Sequence, residues 1–288
     1  MVEWTIIRIL LWTESYFKAH FIDSPRLTAE LLLAHSLDMA RLDLYLQHDR
    51  PLDKNELSDF KALIKRRIQN EPVAYITGEK GFYDSDFKVA KGVLIPRPDT
   101  ETLVEQALGV LEKSKWRGSP KHVLELGVGS GAIIVSLARV YPDHVYLAND
   151  ISADALKVAR INAQNLLQTR VMFFSGSWLD AVKQKPAFDL IVSNPPYIPT
   201  KDIKTLAPEI HRFEPMLALD GGHDGLDCYR QILEAAHHCL APGGTLLFEI
   251  GFDQKEGLIR VFDRHAEYES IEFIKDLAGH DRVAKIKK

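Results

Sequence analysis

Cysteine is scarce in this sequence, and its scarcity excludes several classes of protein. The two residues present, Cys228 and Cys239, form neither a metal-binding spacing nor a disulfide framework. We therefore expect no bound metal ion and interpret both cysteines as small core residues. A chain without disulfides fits the reducing cytoplasm, which is the location that we predict.

Long apolar runs are missing as well. The apolar N-terminal stretch, MVEWTIIRILLWTESYF, is interrupted by Arg8 and Glu14, and no small-residue cleavage site follows it. This pattern favours an amphipathic helix over a signal peptide. No run reaches the ~18 apolar residues of a membrane-spanning helix, so we expect a soluble protein.

An excess of positive charge is also lacking, since the formal net charge is −4. No overall basic field would draw the chain to nucleic acid, although a local basic patch is compatible with this balance. With 46% hydrophobic and 26% charged residues among 288, the composition is that of a globular protein with a substantial core. The length favours two domains.

The first of these domains, residues 1–78, is expected to be small and helical. In its clearest helix, Asp53 and Glu56 have the spacing of a capping box, and an apolar stripe follows at helical intervals. We interpret the basic run at 65–67 as the solvated face of that helix. Residues 79–96 contain glycines between short β-like runs, which predicts a hairpin or linker.

Strands and helices then alternate over a second domain, residues 97–288. This alternation predicts an α/β fold in which a mostly parallel sheet is covered by helices on both faces. The β-rich end of the chain predicts antiparallel edge strands. The segments are, in chain order, ETLVEQALGVLEK, HVLELG, GAIIVSLARVY, VYLAND, SADALKVARINAQNL, VMFFSG, FDLIVS, CYRQILEAAHHCL, GTLLFEIG and YESIEFIKDLAGHDRVAKIKK.

A glycine-rich loop, GVGSG, directly follows the first strand of this sheet and opens a helix. Glycine lets the backbone turn sharply and approach a ligand, and ligands of open α/β sheets bind outside the carboxyl ends of the strands. The next strand ends at Asp150, a position suited to bonding ribose hydroxyls. The sequence therefore predicts a nucleoside-containing cofactor. The loop residues expected to bind it are Gly127, Val128, Gly129, Ser130 and Gly131.

Glycine spacing and a neighbouring acid distinguish between cofactors. The dinucleotide fingerprint is Gly-x-Gly-x-x-Gly, whereas this loop reads Gly-x-Gly-x-Gly and follows Glu125. An acid is a poor neighbour for a pyrophosphate but a good one for the sulfonium and ammonium groups of S-adenosylmethionine, which the loop therefore favours. Glu125 is equally compatible with a residue that bonds local backbone amides. Trp178, after the third strand, is interpreted with equal weight as core packing or as a ring against adenine.

The fourth strand of the sheet ends in Asn194-Pro195-Pro196-Tyr197. Each proline fixes its own φ and restrains the residue before it, so the segment is stiff and presents carbonyl acceptors with few competing donors. Asn194 adds a side-chain carbonyl and Tyr197 a flat ring. Two acceptors and a ring form a receptor for a planar NH₂ group, which predicts methyl transfer to an amide or amino nitrogen. We expect all four residues to serve catalysis and substrate binding.

Taken together, these motifs resemble one family over nearly the whole chain. The chain is similar to the bacterial release factor glutamine methyltransferases, the PrmC or HemK family. The combination of IPRPDTE with N-terminal helices is specific to it, whereas Asn-Pro-Pro-Tyr is shared with enzymes that methylate amino groups of DNA and RNA bases. The resemblance rests on EPVAYITG, LIPRPDTE, ELGVGSGAI, SNPPYI, RFEP and KDLAGHDRV.

This resemblance implies a Rossmann-like methyltransferase domain that transfers a methyl group from S-adenosylmethionine to the glutamine of the Gly-Gly-Gln loop in class I peptide chain release factors. It implies that Asp150 holds the ribose and Trp178 the adenine. Asn194, which also contacts the cofactor, and the Pro195 carbonyl would bond the substrate amide, while Tyr197 shapes the pocket.

The resemblance also implies roles for regions outside these loops. Arg97 and Glu101 of IPRPDTE would wall the site, with Arg97 binding substrate, and residues 1–78 would engage the release factor. Nothing in the sequence demands more than a monomer, which is the state that we expect. The chain departs from many family members at Val128 and Ser130, where they have threonine, and at Ser177, where an acid is common in related enzymes.

Three alternatives stay open from the residues alone. An amino-group methyltransferase for DNA or RNA bases is disfavoured by the acidic charge balance. A non-catalytic module with the same fold is disfavoured by the intact segment 194–197. A nicotinamide-dependent oxidoreductase is disfavoured by the glycine spacing.

Overall fold

A computed structural model describes residues 4–115 and 119–288, so residues 1–3 of the predicted N-terminal helix lie outside it. The chain divides into two compact units. One comprises Met1–Glu79 with Ala207–Phe213, and the other comprises Lys80–Leu206 with Glu214–Lys288.

The described helices, in chain order, are α1 (Ile6–Ala19), α2 (Pro25–Ser36), α3 (Arg41–Leu46), α4 (Lys54–Ile68), α5 (Val73–Thr77), α6 (Glu101–Lys115), α7 (Ala132–Val140), α8 (Ala153–Leu166), α9 (Pro208–His211), α10 (Asp227–Cys239) and α11 (Lys255–Phe262). The strands are β1 (Glu79–Phe82), β2 (Ser85–Lys88), β3 (His122–Leu126), β4 (Val145–Asp150), β5 (Val171–Ser175), β6 (Phe188–Ser193), β7 (Leu240–Glu249), β8 (Ser270–Lys275) and β9 (Asp281–Lys287). Short 3₁₀ helices span Pro98–Thr100, Thr200–Thr205 and Met216–Ala218.

The first unit is built from helices around its own apolar core. Helix α4 begins with the predicted capping box: Asp53 Oδ1 accepts from the Glu56 amide at 2.9 Å, and Glu56 Oε2 accepts from the Asp53 amide at 2.9 Å. Its apolar stripe packs into the cluster, where Phe60 and Ile64 are buried. In this unit, the capping box and the apolar stripe of α4 therefore match the packing of the helix.

The basic run of α4 is not uniformly solvated, so that expectation is wrong for one residue. Arg67 is 5% exposed and pairs with Glu209 of α9 at 2.7 Å. Arg66 binds Glu71 through two hydrogen bonds, while Lys65 is exposed. A buried guanidinium needs a partner, and here the partner comes from a distant part of the chain.

A seven-stranded sheet of order β5-β4-β3-β6-β7-β9-β8 forms the second unit. Strands β3 to β7 pair in parallel, and β9 runs antiparallel to both β7 and β8. The mostly parallel α/β fold with an antiparallel C-terminal part is therefore confirmed. The strand order reverses at β3, since β4 and β5 lie on one side and β6 on the other. Such a switch point is where α/β sheets bind ligands.

Both faces of this sheet are covered. Alternate residues of β3 enter different clusters: Val123 lies in one, and Leu124 and Leu126 lie in the other. Helices α6, α7 and α8 supply the first cluster, whereas α10 and α11 supply the second. The strand period of two thus buries both sides of β3.

The remaining features bear on the expectations from composition. Cys228 and Cys239 are buried and unbridged. Among the described residues, no three His, Cys, Asp or Glu side chains are grouped to hold a metal ion. Within the same residues, no helix combines the length and apolar character that crossing a membrane requires. Strands β1 and β2 form a small separate sheet at the predicted hairpin.

Candidate active site

A cavity of about 230 Å³ lies at the carboxyl edge of the sheet, next to the switch point. The loops after β3, β4, β5 and β6 line it, together with some residues of the segments 92–100 and 215–218. The predicted site residues that line it are Arg97, Glu125, Gly127, Val128, Gly129, Ser130, Asp150, Trp178, Asn194 and Pro196. Gly131, Pro195 and Tyr197 lie outside this lining.

The three glycines of the loop after β3 all have left-handed backbone conformations, with φ of +72° at Gly127, +54° at Gly129 and +83° at Gly131. Side chains other than glycine rarely adopt this region. A Cβ on Gly131 would also lie 3.3 Å from the Ala159 Cα of α8, whereas one on Gly129 would meet no heavy atom within 4 Å. Gly131 therefore permits helix packing, and Gly129 leaves room at the cavity.

Asp150 ties the end of β4 to this loop. Its Oδ2 accepts from the Gly129 amide at 2.9 Å, and its Oδ1 accepts from the Ser152 amide at 2.8 Å. Burial raises the pKa of Asp150, and these amide donors oppose that rise. Carboxylate oxygens have further lone pairs, so Asp150 can hold the loop and still accept from a ligand hydroxyl.

Glu125 is buried at the opposite end of the loop. Its Oε2 accepts from the Ile134 amide in the first turn of α7 at 2.9 Å, as the alternative interpretation of this residue required. Burial raises the pKa of Glu125 well above its usual range, and the nearby Asp150 charge adds to the rise. Because Glu125 also lines the cavity, a cation bound there would favour the ionised form.

Trp178 packs against the core and also reaches the cavity. Its ring packs partly against the core, lies 3.5 Å from where a Gly127 Cβ would stand, and lines the cavity. Its carbonyl accepts from Asn149 Nδ2 at 2.6 Å, and its φ is +43°. Asn149, which the sequence analysis missed, is fully buried and also binds the Gly176 carbonyl.

Two of the positions that depart from the family pattern, Val128 and Ser177, lie beside these contacts. The Val128 side chain is 3% exposed, and its amide donates to the Asn149 carbonyl at 2.8 Å. Ser177 lines the cavity next to Trp178. Val128 therefore contributes packing and backbone geometry to the loop.

Asn194 follows β6 and is oriented by a residue distant in sequence. Its Nδ2 donates to Thr100 Oγ1 at 3.1 Å, which leaves the side-chain carbonyl as a separate acceptor. Asn194 and Pro196 line the cavity. The Tyr197 ring packs partly against the core, and its hydroxyl donates to Glu249 Oε1 at 3.4 Å. Burial raises the pKa of Tyr197.

The backbone after Asn194 is held from behind by close contacts. Gln254 Nε2 donates to the Tyr197 carbonyl at 2.9 Å, and the Ile198 amide donates to the Leu219 carbonyl at 3.1 Å. A Cβ on Gly221 would lie 2.8 Å from the Tyr197 Cα, and one on Gly225 would lie 2.4 Å from the Tyr197 carbonyl oxygen. Glycine is needed at these positions because the chain passes so closely. The stiffness of the segment thus has tertiary as well as proline causes.

Two motifs that carried the resemblance meet through Glu214. Arg97 of IPRPDTE pairs with Glu214 of RFEP, and the Ile95 amide donates to Glu214 Oε2 at 3.2 Å. Glu214 is 7% exposed, so the pair fixes the wall that Arg97 contributes. Glu101 accepts from the Tyr83 amide at 3.0 Å and lies outside the cavity lining.

Sequence reasoning also missed Thr100, Glu214 and Glu249. Thr100 and Glu214 lay inside quoted motifs, but nothing in the spacing showed what they contact. Glu249 had a signal of its own, since it is an acid at the end of the apolar strand GTLLFEIG. Its burial to 1% exposure makes it a candidate for a functional role.

Chemically, this arrangement suits the positioning of a planar nitrogen group. A glycine loop with a carboxylate stands on one side of the cavity, and a stiff segment with an oriented amide carbonyl stands on the other. Acceptors that hold both hydrogens of an NH₂ group place its nitrogen towards an electrophile.

Comparisons with known proteins show which families the chain resembles. Residues 8–78 match the family model of the PrmC N-terminal domain, and residues 103–212 match that of the methyltransferase small domain. The chain is 43% identical over 263 residues to a release factor glutamine methyltransferase of Geobacter sulfurreducens, covering 91% of this chain and 89% of that protein. It is 39% identical over 286 residues to one of Caulobacter vibrioides, covering 97% and 96%.

A solved structure shares the fold. The crystal structure of a methyltransferase from Pyrococcus furiosus matches with a TM-score of 0.51 at 20% identity, covering 80% of this chain and 98% of that chain. The resemblance inferred from the motifs is confirmed by the sequence relatives: the chain belongs to the release factor glutamine methyltransferase family.

Proposed function

We propose that this protein is a methyltransferase that transfers a methyl group from S-adenosylmethionine to the side-chain amide nitrogen, N5, of the glutamine in the Gly-Gly-Gln motif of class I peptide chain release factors. The observation that carries the proposal is the orientation of Asn194. Its amide nitrogen is engaged by Thr100, so its carbonyl remains to accept from a substrate amide at the edge of the cavity. The names of the relatives supply the substrate class.

The residues around the cavity fit the methyl donor. Gly129 leaves space beside the loop, Asp150 offers acceptor lone pairs to ribose hydroxyls, and Trp178 presents a ring for adenine. Glu125 provides a negative charge for a cationic group. When bound, S-adenosylmethionine supplies an electrophilic methyl group on a sulfonium.

On the acceptor side, the chain's own residues position the nitrogen. The carbonyls of Asn194 and Pro195 accept the two N–H bonds of the substrate amide, and Pro196 and Arg97 form the adjoining wall. Holding both hydrogens raises the electron density on a nitrogen whose lone pair is delocalised. Positioning of this kind lowers a barrier by up to ~7–11 kcal/mol in the best cases. No strong base is needed before attack, because one N–H proton can leave to solvent afterwards.

The helical unit is proposed to recognise the release factor. It matches the PrmC N-terminal domain and has an apolar core separate from that of the sheet. The protein would act as a monomer in the cytoplasm, where release factors work.

Transfer of labelled methyl from S-adenosylmethionine to a purified class I release factor tests the proposal. We expect label on the wild-type factor and none on a factor whose Gly-Gly-Gln glutamine is changed to alanine. Equal labelling of both factors, or labelling of DNA or ribosomal RNA in place of the factor, contradicts it. The second outcome would support a base amino-group methyltransferase.

A further inference from the structure

Gln254 is a buried amide side chain behind the Asn-Pro-Pro-Tyr segment. It stands directly before α11 and is 8% exposed. Its Nε2 donates to the Tyr197 carbonyl at 2.9 Å and to the Gly225 carbonyl at 3.0 Å, and its Oε1 accepts from the Gly251 amide at 3.0 Å. Gln254 lies outside the cavity lining, so it can influence a ligand there only through the residues that it holds.

These three partners determine which way the Gln254 amide points. A backbone carbonyl only accepts and a backbone amide only donates. The NH₂ group must therefore face the carbonyls of Tyr197 and Gly225, while the side-chain carbonyl faces Gly251. The Tyr229 hydroxyl of α10 also lies 3.2 Å from Oε1. A flipped amide would place its oxygen against two carbonyl oxygens, so the observed orientation is the only one that satisfies these partners.

Glycine in the surrounding chain makes room for this contact. A Cβ on Gly225 would lie 2.7 Å from Gln254 Nε2 and 2.4 Å from the Tyr197 carbonyl oxygen, and Gly225 has a left-handed φ of +76°. A Cβ on Gly251 would lie 3.1 Å from Gln254 Oε1. Glycine permits such close approaches, and at these two positions it lets the Gln254 side chain reach the Tyr197 carbonyl.

The segment that Gln254 holds is restrained at both ends. At its start, Asn194 Nδ2 donates to Thr100 Oγ1 at 3.1 Å, and at its end Gln254 holds the Tyr197 carbonyl. The two prolines between these contacts have fixed φ angles, so few backbone torsions stay free. Fixing both ends therefore sets the direction of the Pro195 carbonyl, which is proposed to accept from the substrate amide.

We propose that Gln254 is a positioning residue that acts through the Tyr197 carbonyl to direct the acceptors of the Asn-Pro-Pro-Tyr segment at the substrate amide. The inference rests on the proposed acceptor roles of Asn194 and Pro195, and it adds a residue outside both the cavity lining and the motifs that carried the resemblance. A displacement of about 1 Å near reacting groups can cost on the order of 100-fold in rate. A residue behind the segment can therefore control turnover.

Gln254→Met removes the donor and keeps a side chain of similar length. We expect its kcat on a class I release factor to fall about 10- to 100-fold. The dissociation constant of S-adenosylmethionine should stay at the wild-type value because the glycine loop is untouched. Gln164→Met is the matched control, since Gln164 is exposed on α8, and it should keep the wild-type kcat. A kcat of Gln254→Met equal to that of the wild type overturns the inference.

Gln254→Glu tests the hydrogen bond itself. An ionised glutamate would place an oxygen against the carbonyls of Tyr197 and Gly225, whereas a protonated one can donate to one of them. Burial raises the pKa of a carboxyl group at such a position, so the ratio of the variant's kcat to the wild-type kcat should rise about tenfold from pH 8 to pH 6. Gln254→Met has no proton to gain, and its ratio should stay constant.

The ratio removes the contribution of groups that the wild type and both variants share. Titratable and charged side chains near Gln254 include those of Tyr197, Tyr229, Glu249 and Arg282. Burial raises the pKa of Glu249 to about 7, within the range of the experiment. Because Glu249 is present in every protein compared, a change in the ratio for Gln254→Glu alone reports the new carboxyl group.

A spectroscopic arm separates this inference from the proposed function. In protein with ¹⁵N-labelled asparagine, Gln254→Met should move the side-chain NH₂ signals of Asn194 and leave those of Asn149, which bind the carbonyls of residues after β5. Unmoved Asn194 signals, a constant kcat ratio for Gln254→Glu, or loss of the folded state in both variants overturns the inference. A wild type that methylates no release factor contradicts the proposed function, and the Asn194 signals then still decide whether Gln254 positions the segment.

Discussion

The two sides of the cavity are held in place by different kinds of contact. On the glycine-loop side, carboxylates accept backbone amides: Asp150 holds Gly129, and Glu125 holds Ile134. On the Asn-Pro-Pro-Tyr side, side chains bind one another: Asn194 donates to Thr100, and Tyr197 donates to Glu249. The first arrangement ties the loop to acids that lie 9 and 21 residues away in sequence. The second orients an acceptor through a residue that lies 94 residues away.

Asn194→Ala should have the largest effect on kcat, and it should affect only the Asn-Pro-Pro-Tyr side of the cavity. Removing the side-chain acceptor should lower kcat about 100- to 1,000-fold, as loss of one preorganised electrostatic contact does. The dissociation constant of S-adenosylmethionine, measured by calorimetry, should change less than about threefold because the glycine loop is untouched. If cofactor binding were lost while methylation survived, Asn194 would serve the cofactor and not the substrate amide.

Glu249→Gln should stabilise the fold at high pH. Burial raises the pKa of Glu249 to about 7, so the protonated form is favoured in the folded state. Its contribution to stability is present below the ordinary glutamate pKa and is lost as pH rises through about 7. Glutamine cannot ionise, so the free energy of unfolding of the variant should exceed that of the wild type by up to about 3 kcal/mol at pH 8.

Urea unfolding at pH 5 and pH 8 measures this difference. Glu272→Gln is the control, since the Glu272 side chain is 68% exposed on β8. If the stability difference between Glu249→Gln and the wild type is the same at both pH values, the buried carboxyl group does not titrate as described.

Asp150→Ala should affect the glycine-loop side of the cavity, where the cofactor is proposed to bind. Loss of a carboxylate that accepts from the loop and from a ribose should weaken S-adenosylmethionine binding about 10- to 100-fold. With saturating cofactor, kcat should recover most of its wild-type value. A variant that binds the cofactor normally but turns over slowly would show that Asp150 does not bind it.

Gly131→Ala should cost the fold more than Gly129→Ala, by about 1 kcal/mol. Both substitutions place a Cβ in the left-handed region, at a cost of roughly 1–2 kcal/mol each. Only the first also places that Cβ against α8, 3.3 Å from the Ala159 Cα. Thermal unfolding of the two variants measures the difference, and equal losses would indicate that helix packing at Gly131 relaxes freely.

Contacts within short segments could be predicted from the sequence, whereas contacts between residues far apart in the chain could not. The parallel sheet, the glycine loop and Asp150 follow from patterns within short segments, because each strand ends in the loop that it positions. The position of Asn194 was predictable for the same reason. Its orientation was not, because Thr100, which accepts from its amide, lies 94 residues away in sequence. The exposure of Arg67 was predicted wrongly because Glu209, which pairs with it, is even more remote in sequence.

Mass spectrometry of a class I release factor, incubated with S-adenosylmethionine and either the wild type or Asn194→Ala, tests the central claim most directly. We predict a single methyl group on the side-chain amide of the Gly-Gly-Gln glutamine with the wild type, and a strongly reduced rate with the variant. A methyl group at another residue, or equal rates for the two proteins, would contradict the assignment of Asn194 as the acceptor that positions the glutamine amide.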